Sequence, residues 1–220
     1  MRQTLCGLLL LCSLAWPQGV HPVTGRRFAN VMGAEGAGWL VRPEREREEQ
    51  PDAALDAIGV AHGSSVADVG AGNGYMTWRL AERVGPTGKV YANDIQPKML
   101  DLLRSNMEAR GLTNVETVLG APDDPKLPRG RLDLVLLVDV YHEFSEPQLM
   151  VRHIRDSLAP NGRMVLLEYR AEDPNVPIRP EHKMTVDQVK AEIQPEGLRL
   201  DRVIERLPRQ HILIFRRSVQ

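Results

Sequence analysis

The stretch Asp68-Val69-Gly70-Ala71-Gly72-Asn73-Gly74-Tyr75, directly after a short apolar run at Val66 to Val69, restricts the fold of this chain more than any other segment. Its alternating glycines let the backbone turn sharply and leave room for a ligand to lie against it. A helical pattern follows over about Tyr75 to Val84, with Thr77, Leu80, Ala81 and Val84 at helical intervals. A strand running through such a turn into a helix marks the ligand crevice of an open α/β sheet.

The remaining sequence continues the alternation of strand and helix. Lys89 to Asn93 reads as a second strand, followed by a helix with Pro97 in its first turn, Leu100, Leu103 and Met107 on one face, and Gly111 as its stop. Val115 to Leu119 and Leu132 to Val138 are further strands, the latter apolar enough for the sheet centre. Ser145 and Pro147 open a helix to Leu158, Met164 to Leu167 forms a fifth strand, and a helix spans Val186 to Ile193. Two last strands, Leu198 to Arg206 and His211 to Phe215, are separated by four residues, too few for a parallel crossover. The expected architecture is therefore α/β: a doubly wound, Rossmann-like, seven-stranded and mostly parallel sheet closed by a C-terminal antiparallel hairpin.

Composition excludes several functional classes. The 220 residues carry 28 basic and 29 acidic side chains, a formal net charge of −1, so no basic excess points to nucleic acid or an anionic membrane. Three Phe, four Tyr and three Trp are too few for a base-stacking platform. The only cysteines are Cys6 and Cys12. Arg2 and the twelve-residue apolar run Leu5 to Trp16 read as a secretory signal peptide over residues 1–19, with Ser13-Leu14-Ala15 as a small-x-small cleavage pattern. A bilayer span needs about 20 apolar residues, so this run does not read as a stable membrane span. Large Leu11 argues against a lipoprotein signal at Cys12. Cleavage would place the protein in the periplasm or outside the cell; without it the protein stays cytoplasmic. Cleavage would also leave no cysteine, excluding disulfides, thiolate metal sites and thiol nucleophiles together.

Spacing refines the ligand. A dinucleotide fingerprint is Gly-x-Gly-x-x-Gly, but here the third glycine comes one position early, at Gly74, and Tyr75 stands in its place. Asp68 just before the turn disfavours a diphosphate and suits a cationic tail. Asp94, at the end of the second strand and 20 residues after Gly74, has the spacing of an acid that accepts hydrogen bonds from both ribose hydroxyls. Ile95 would follow as an apolar contact for an adenine face.

Together these motifs resemble the class I S-adenosylmethionine-dependent methyltransferases over about Pro51 to Arg216. The resemblance implies S-adenosylmethionine as cofactor, with the loop Gly70, Ala71, Gly72, Asn73 and Gly74 cradling its methionine and adenosine parts. It implies Asp68 near the methionine amino group and Asp94 on the ribose. Asp123 or Asp124 would read the adenine amino group, the local sequence not deciding between them. Asp139, at the end of the fourth strand, joins the cofactor side. Residues 20–50 become an N-terminal arm or lid and 51–220 the methyltransferase domain. The run Glu44 to Glu49 is a solvated helical face by charge alone. As a lid, the same region offers Trp39, Arg42 and Arg45 to close the site.

The acceptor side falls at the carboxyl ends of the fourth and fifth strands, with His182 and Lys183 beside them if their loop folds back. The segment Val138 to Phe144 is similar to that of small-molecule methyltransferases, quinone-biosynthesis C-methyltransferases included, and lacks the tetrad of base- and glutamine-directed enzymes. The Gly-rich loop alone resembles isoaspartyl carboxyl methyltransferases. His142 is the first candidate for a base, since imidazole titrates nearest neutral pH; Tyr141, Glu143 and Glu168 could orient or replace it. His142, Glu143, Glu168 and His182 offer nitrogen and oxygen ligands, but no tight ligand spacing marks a metal site, and none is expected. The partner is then a small-molecule methyl acceptor. The competing readings are an exported, non-catalytic binding protein on the same fold and an NAD(P)-dependent oxidoreductase.

Overall fold

The computed structural model describes residues 19–218. The expected signal peptide, both cysteines included, lies outside them but for Gly19. One sheet organises the described chain, with spatial order β3-β2-β1-β4-β5-β8-β7. Its strands are β1 (Ser65–Val69), β2 (Lys89–Asp94), β3 (Val115–Leu119), β4 (Leu132–Val138), β5 (Leu158–Arg170), β7 (Leu198–Ile204) and β8 (Gln210–Arg217). All neighbours along this path are parallel up to β5; β8 is antiparallel to both β5 and β7. These are the seven expected strands. An additional two-residue strand, β6 (Lys183–Met184), lies off that path, parallel to the end of β5.

Period-two alternation explains why both faces of the sheet are covered. From β1 and β4, Ala67, Val69, Val135 and Leu137 enter one apolar cluster, while Val66, Leu134 and Leu136 enter the other. Helices α5 (Pro147–Ser157) and α6 (Val186–Ile193) close the first face. Helices α2 (Pro51–Ile58) and α3 (Thr77–Val84) close the second, and α4 (Pro97–Ala109) packs beside β2. Local signals set their ends: Pro51, Pro97 and Pro147 stand in first turns, and Thr185 with Gln188 forms a capping box on α6. The expected Tyr75 start of α3 moves to Thr77, because residues 70–76 remain in the turn.

The arm is more ordered than its Gly-rich sequence suggests. Ala34–Val41 forms a 3₁₀ helix and Glu44–Glu49 a short helix, α1. The chain order runs outward from β1 to β3 and then returns to β4, so the sheet reverses direction between β1 and β4. Ligands of open α/β sheets bind beyond the carboxyl ends of the strands at such a reversal.

Candidate active site

A cavity of about 810 Å³ lies at this reversal. Its floor is the turn after β1. Gly70 and Gly72 have φ of +71° and +54°, in the left-handed region that favours glycine. A Cβ at Gly70 would strike the Val140 side chain, and one at Gly72 would lie 2.7 Å from Leu40 Cδ1 of the arm. The turn is thus a cradle with no side chain of its own at either position.

Asp94 braces this cradle. Its Oδ2 accepts the Gly72 N–H at 2.9 Å and its Oδ1 accepts the Gln96 N–H at 2.8 Å. Burial raises its pKa, against these backbone bonds and one from Ile95. Each carboxylate oxygen has a second lone pair, so capacity for a pair of hydroxyl donors remains. Asp68 lies deeper, at the end of β1, and accepts the Thr77 hydroxyl at 2.6 Å. Burial lifts its pKa to about 6, with the Thr77 bond and Arg45 opposing and Asp94 adding to the rise. Two acidic groups beneath one glycine turn favour a guest that carries positive charge over a diphosphate.

The arm roofs the cavity through buried charge. In α1 the Arg45 Nε donates to Glu49 Oε2 at 2.6 Å, its guanidinium stacks 4.0 Å from the Tyr75 ring centre, and Tyr169 donates its hydroxyl to Glu49 at 2.8 Å. Arg42 stacks on Trp39 and pairs with Glu48 and Glu49. Glu44, Glu46 and Arg47 are exposed as a solvated face requires, but Arg45 and Glu49 are 6% and 3% exposed and face inward. A helix of alternating charge has one buried ion pair here because Tyr75 and Tyr169 cover that face. Further upstream, Arg26 forms a two-point pair with Glu192 of α6 and donates to the His142 carbonyl at 3.0 Å.

At the end of β4, Asp139 adopts φ +51° and accepts the Gln210 amide at 2.8 Å; its other oxygen, Oδ1, is buried without a partner among the described residues. Burial and the charges of Glu49 and Glu168 raise its pKa well above the carboxylate range, against Arg45 and Gln210. Beyond it, His142 Nδ1 lies 2.6 Å from Glu168 Oε2. A carboxylate oxygen accepts, so Nδ1 carries the proton and Nε2 faces His182 Nδ1 at 3.1 Å. Burial opposes charge on His142, but Glu168, Glu143 and Asp139 together raise the pKa. Glu143 is pushed up to about 7, chiefly by burial, with His142 opposing. Burial and the His142 charge lower the pKa of His182.

Of the residues expected from sequence, Asp68, Gly70, Ala71, Gly72, Asp94, Ile95, Asp139, His142 and Glu143 line this one cavity. Others stand outside the lining. Asn73 ties down the arm by donating to the Ala37 carbonyl, and Gly74 packs on Leu103 and Met107 of α4. Tyr141 is fully buried and packs edge-on against Phe144; only its backbone N–H serves the site, by donating to Glu168 at 3.0 Å. Asp124 holds the turn through the Lys126 N–H and Asp123 is exposed, while their neighbour Pro122 reaches the cavity. Lid residues Trp39, Arg42 and Arg45 are in the lining, as are His182 and Arg179 of the returning loop. Glu49 and Tyr169 were missed. An Arg-to-Glu spacing of four in α1 was the available signal, but nothing local marks it as buried.

The residues fit a guest with a ribose and a cationic end: an acid with spare acceptors beside a side-chain-free cradle, and acids beneath it. Comparison with known proteins agrees. Residues 61–206 match the family described as a methyltransferase domain. A ubiquinone/menaquinone biosynthesis C-methyltransferase of Hahella chejuensis is 30% identical over 116 residues, 52% of this chain and 47% of that protein. A nocamycin O-methyltransferase of Saccharothrix syringae is 33% identical over 141 residues, 64% of this chain and 48% of that protein. The chain thus spans about half the length of these curated relatives. The crystal structure of an S-adenosylmethionine-dependent methyltransferase from Aquifex aeolicus superposes with a TM-score of 0.79 at 25% identity, covering 84% of this chain and 98% of that one.

Proposed function

The chain belongs to the class I S-adenosylmethionine-dependent methyltransferases, and from that premise we propose that it methylates a small-molecule acceptor bound in the same cavity as the cofactor. One observation carries the reading. The Gly70–Gly72 cradle with Asp94 and the polar cluster of His142, Glu143 and His182 line a single cavity, so a donor held by the first faces an acceptor held by the second. The family assignment sets aside the dinucleotide oxidoreductase.

The residues that would hold the cofactor are the turn Gly70 to Gly72, Asp94 for the ribose, Ile95 and Pro122 for the adenine, and Asp68 beneath the amino end. Bound there, S-adenosylmethionine supplies an electrophilic methyl group on a positively charged sulfur. Alignment and exclusion of water are then the main tasks of the protein. The arm performs the second: Leu40 reaches over Gly72, and α1 is locked to the end of β5 through Glu49 and Tyr169. On the acceptor side, Glu168 fixes the orientation of His142, and the cluster offers nitrogen and oxygen atoms to position a nucleophilic group. The apolar run Leu5 to Trp16 supports an exported location; a native peptide beginning at Met1 would refute cleavage.

Calorimetric titration with S-adenosylmethionine, S-adenosylhomocysteine and NADH tests the cofactor assignment. Micromolar binding of the two sulfur ligands and none of NADH is expected. Binding of NADH alone, or of none of the three, would overturn the assignment.

A further inference from the structure

We propose that His142 Nε2, His182 Nδ1 and the Glu143 carboxylate form a site for a divalent transition metal, zinc being the natural occupant, at the acceptor end of the cavity. The three offer ligand atoms that all lie within 4.8 Å of one another, although 40 residues separate the two histidines. Sequence spacing could not reveal such a site, because its halves arrive on different strands. Glu143 and His142 sit in the single 3₁₀ turn Tyr141–Glu143 after β4. His182 ends a second such turn, Pro180–His182, and is delivered by β6. The parallel register Tyr169 to Lys183 and Arg170 to Met184 carries His182 in beside Glu168. This two-residue strand adds little to the sheet, but it brings the second imidazole to the first.

Three features distinguish the cluster from a chance meeting of polar side chains. The first is the supporting shell. Glu168 is fully buried, one oxygen taking His142 Nδ1 and the other the Tyr141 N–H. A metal-bound histidine commonly donates its remaining ring N–H to a carboxylate in this way, which fixes the tautomer and turns the free lone pair toward the ion. The second is the distance between the two facing nitrogens, 3.1 Å. Two nitrogens each about 2.0–2.1 Å from a tetrahedral zinc stand about 3.3 Å apart, so exchanging the His182–His142 hydrogen bond for a shared ion releases its proton, parts the nitrogens by a few tenths of an ångström and turns both ring lone pairs toward the ion. The third is access. All three residues line the cavity, so an ion held by them would border the space proposed for the acceptor. Two histidines and a glutamate with an open position are a ligand set used by catalytic zinc. A metal held there would bind an oxygen or nitrogen of the acceptor directly, which deepens the functional proposal and rests on it only for that role.

Metal binding is measurable without turnover. The full chain, stripped with a chelator and dialysed, is titrated calorimetrically with zinc chloride, and cobalt(II) chloride is added separately to read the absorption of a low-symmetry nitrogen–oxygen site. One zinc per chain is expected, weakened at least tenfold by His182→Gln and by Glu143→Gln, both of which replace incompletely buried side chains. Glu168→Gln should weaken it by about 10–100-fold, as loss of an outer-shell partner does. Circular dichroism and S-adenosylhomocysteine affinity are followed in each sample. Absence of zinc uptake overturns the metal site, as does uptake that both His182→Gln and Glu143→Gln leave unchanged, which would place the ion elsewhere. Retained S-adenosylhomocysteine binding in either case leaves the methyltransferase reading standing. Loss of that binding with zinc uptake intact would overturn the functional reading and not the site.

Discussion

Replacing Asp68 with asparagine should make the ligand-free protein more stable at neutral pH and a poorer binder of S-adenosylmethionine. Burial raises the Asp68 carboxyl from 3.8 to about 6 in the folded chain. That rise corresponds to about 3 kcal/mol of ionisation free energy. In this window the folded state binds more protons than the unfolded state, so stability falls as pH rises. The cost is absent below pH 3.8, accumulates toward pH 6 and stays constant above it. Asparagine does not titrate and keeps an oxygen for the Thr77 hydroxyl. The difference in unfolding free energy, variant minus wild type, should therefore climb by about 2.4 kcal/mol between pH 4 and pH 7. The remaining carboxylates titrate in both proteins and largely cancel in that difference. Urea unfolding across this range reads the curve directly. A flat or falling difference would mean that the fold does not hold the Asp68 proton. Ligand binding gives the complementary readout: a cationic amino group recruits the charged carboxylate, so wild-type affinity should rise from pH 5 to pH 7 while that of the variant stays level.

Other expectations follow from single contacts. Gly70→Ala meets both a left-handed φ and the Val140 side chain, and should cost about 2–4 kcal/mol in thermal or urea unfolding; a loss under half a kcal/mol would mean the turn can shift. Asp94→Asn presents an amide to the Gly72 or Gln96 N–H and loses charge-assisted bonds, so calorimetric affinity for S-adenosylhomocysteine should fall by about 1.5–3 kcal/mol. Equal affinity would remove the ribose role. Arg45→Met removes the closer of the two arginines that pair with buried Glu49, leaving Arg42 at 3.3 Å, and should destabilise the protein by about 1–3 kcal/mol. A near-neutral change would show that water reaches α1.

The order of strands was legible because each carries its own signature: apolar runs of strand length, glycines at the exits and prolines at the helix starts. The terminal hairpin followed from the four residues between its strands. The site was legible where one segment holds the whole feature, as in the turn after β1 and Asp94. It was opaque where function depends on two distant segments meeting. Glu49 and Arg45 look like solvated charges until Tyr75 and Tyr169 cover them. Tyr141 looks like a cavity residue beside His142, yet the 3₁₀ turn sends its ring into the core. His182 could be placed at the site only on the condition that its loop folds back, and that condition is met by β6, whose two residues are too few to show in any periodicity.

The proposed geometry sets the cofactor on the Gly70–Gly72 cradle with its sulfur toward His142, Glu143 and His182. A crystal structure with S-adenosylhomocysteine bound is the decisive check. The ribose hydroxyls should lie within hydrogen-bond distance of Asp94, with the sulfur opening toward the histidine cluster. A ligand bound with its adenosine at the histidines, or outside this cavity, would contradict it.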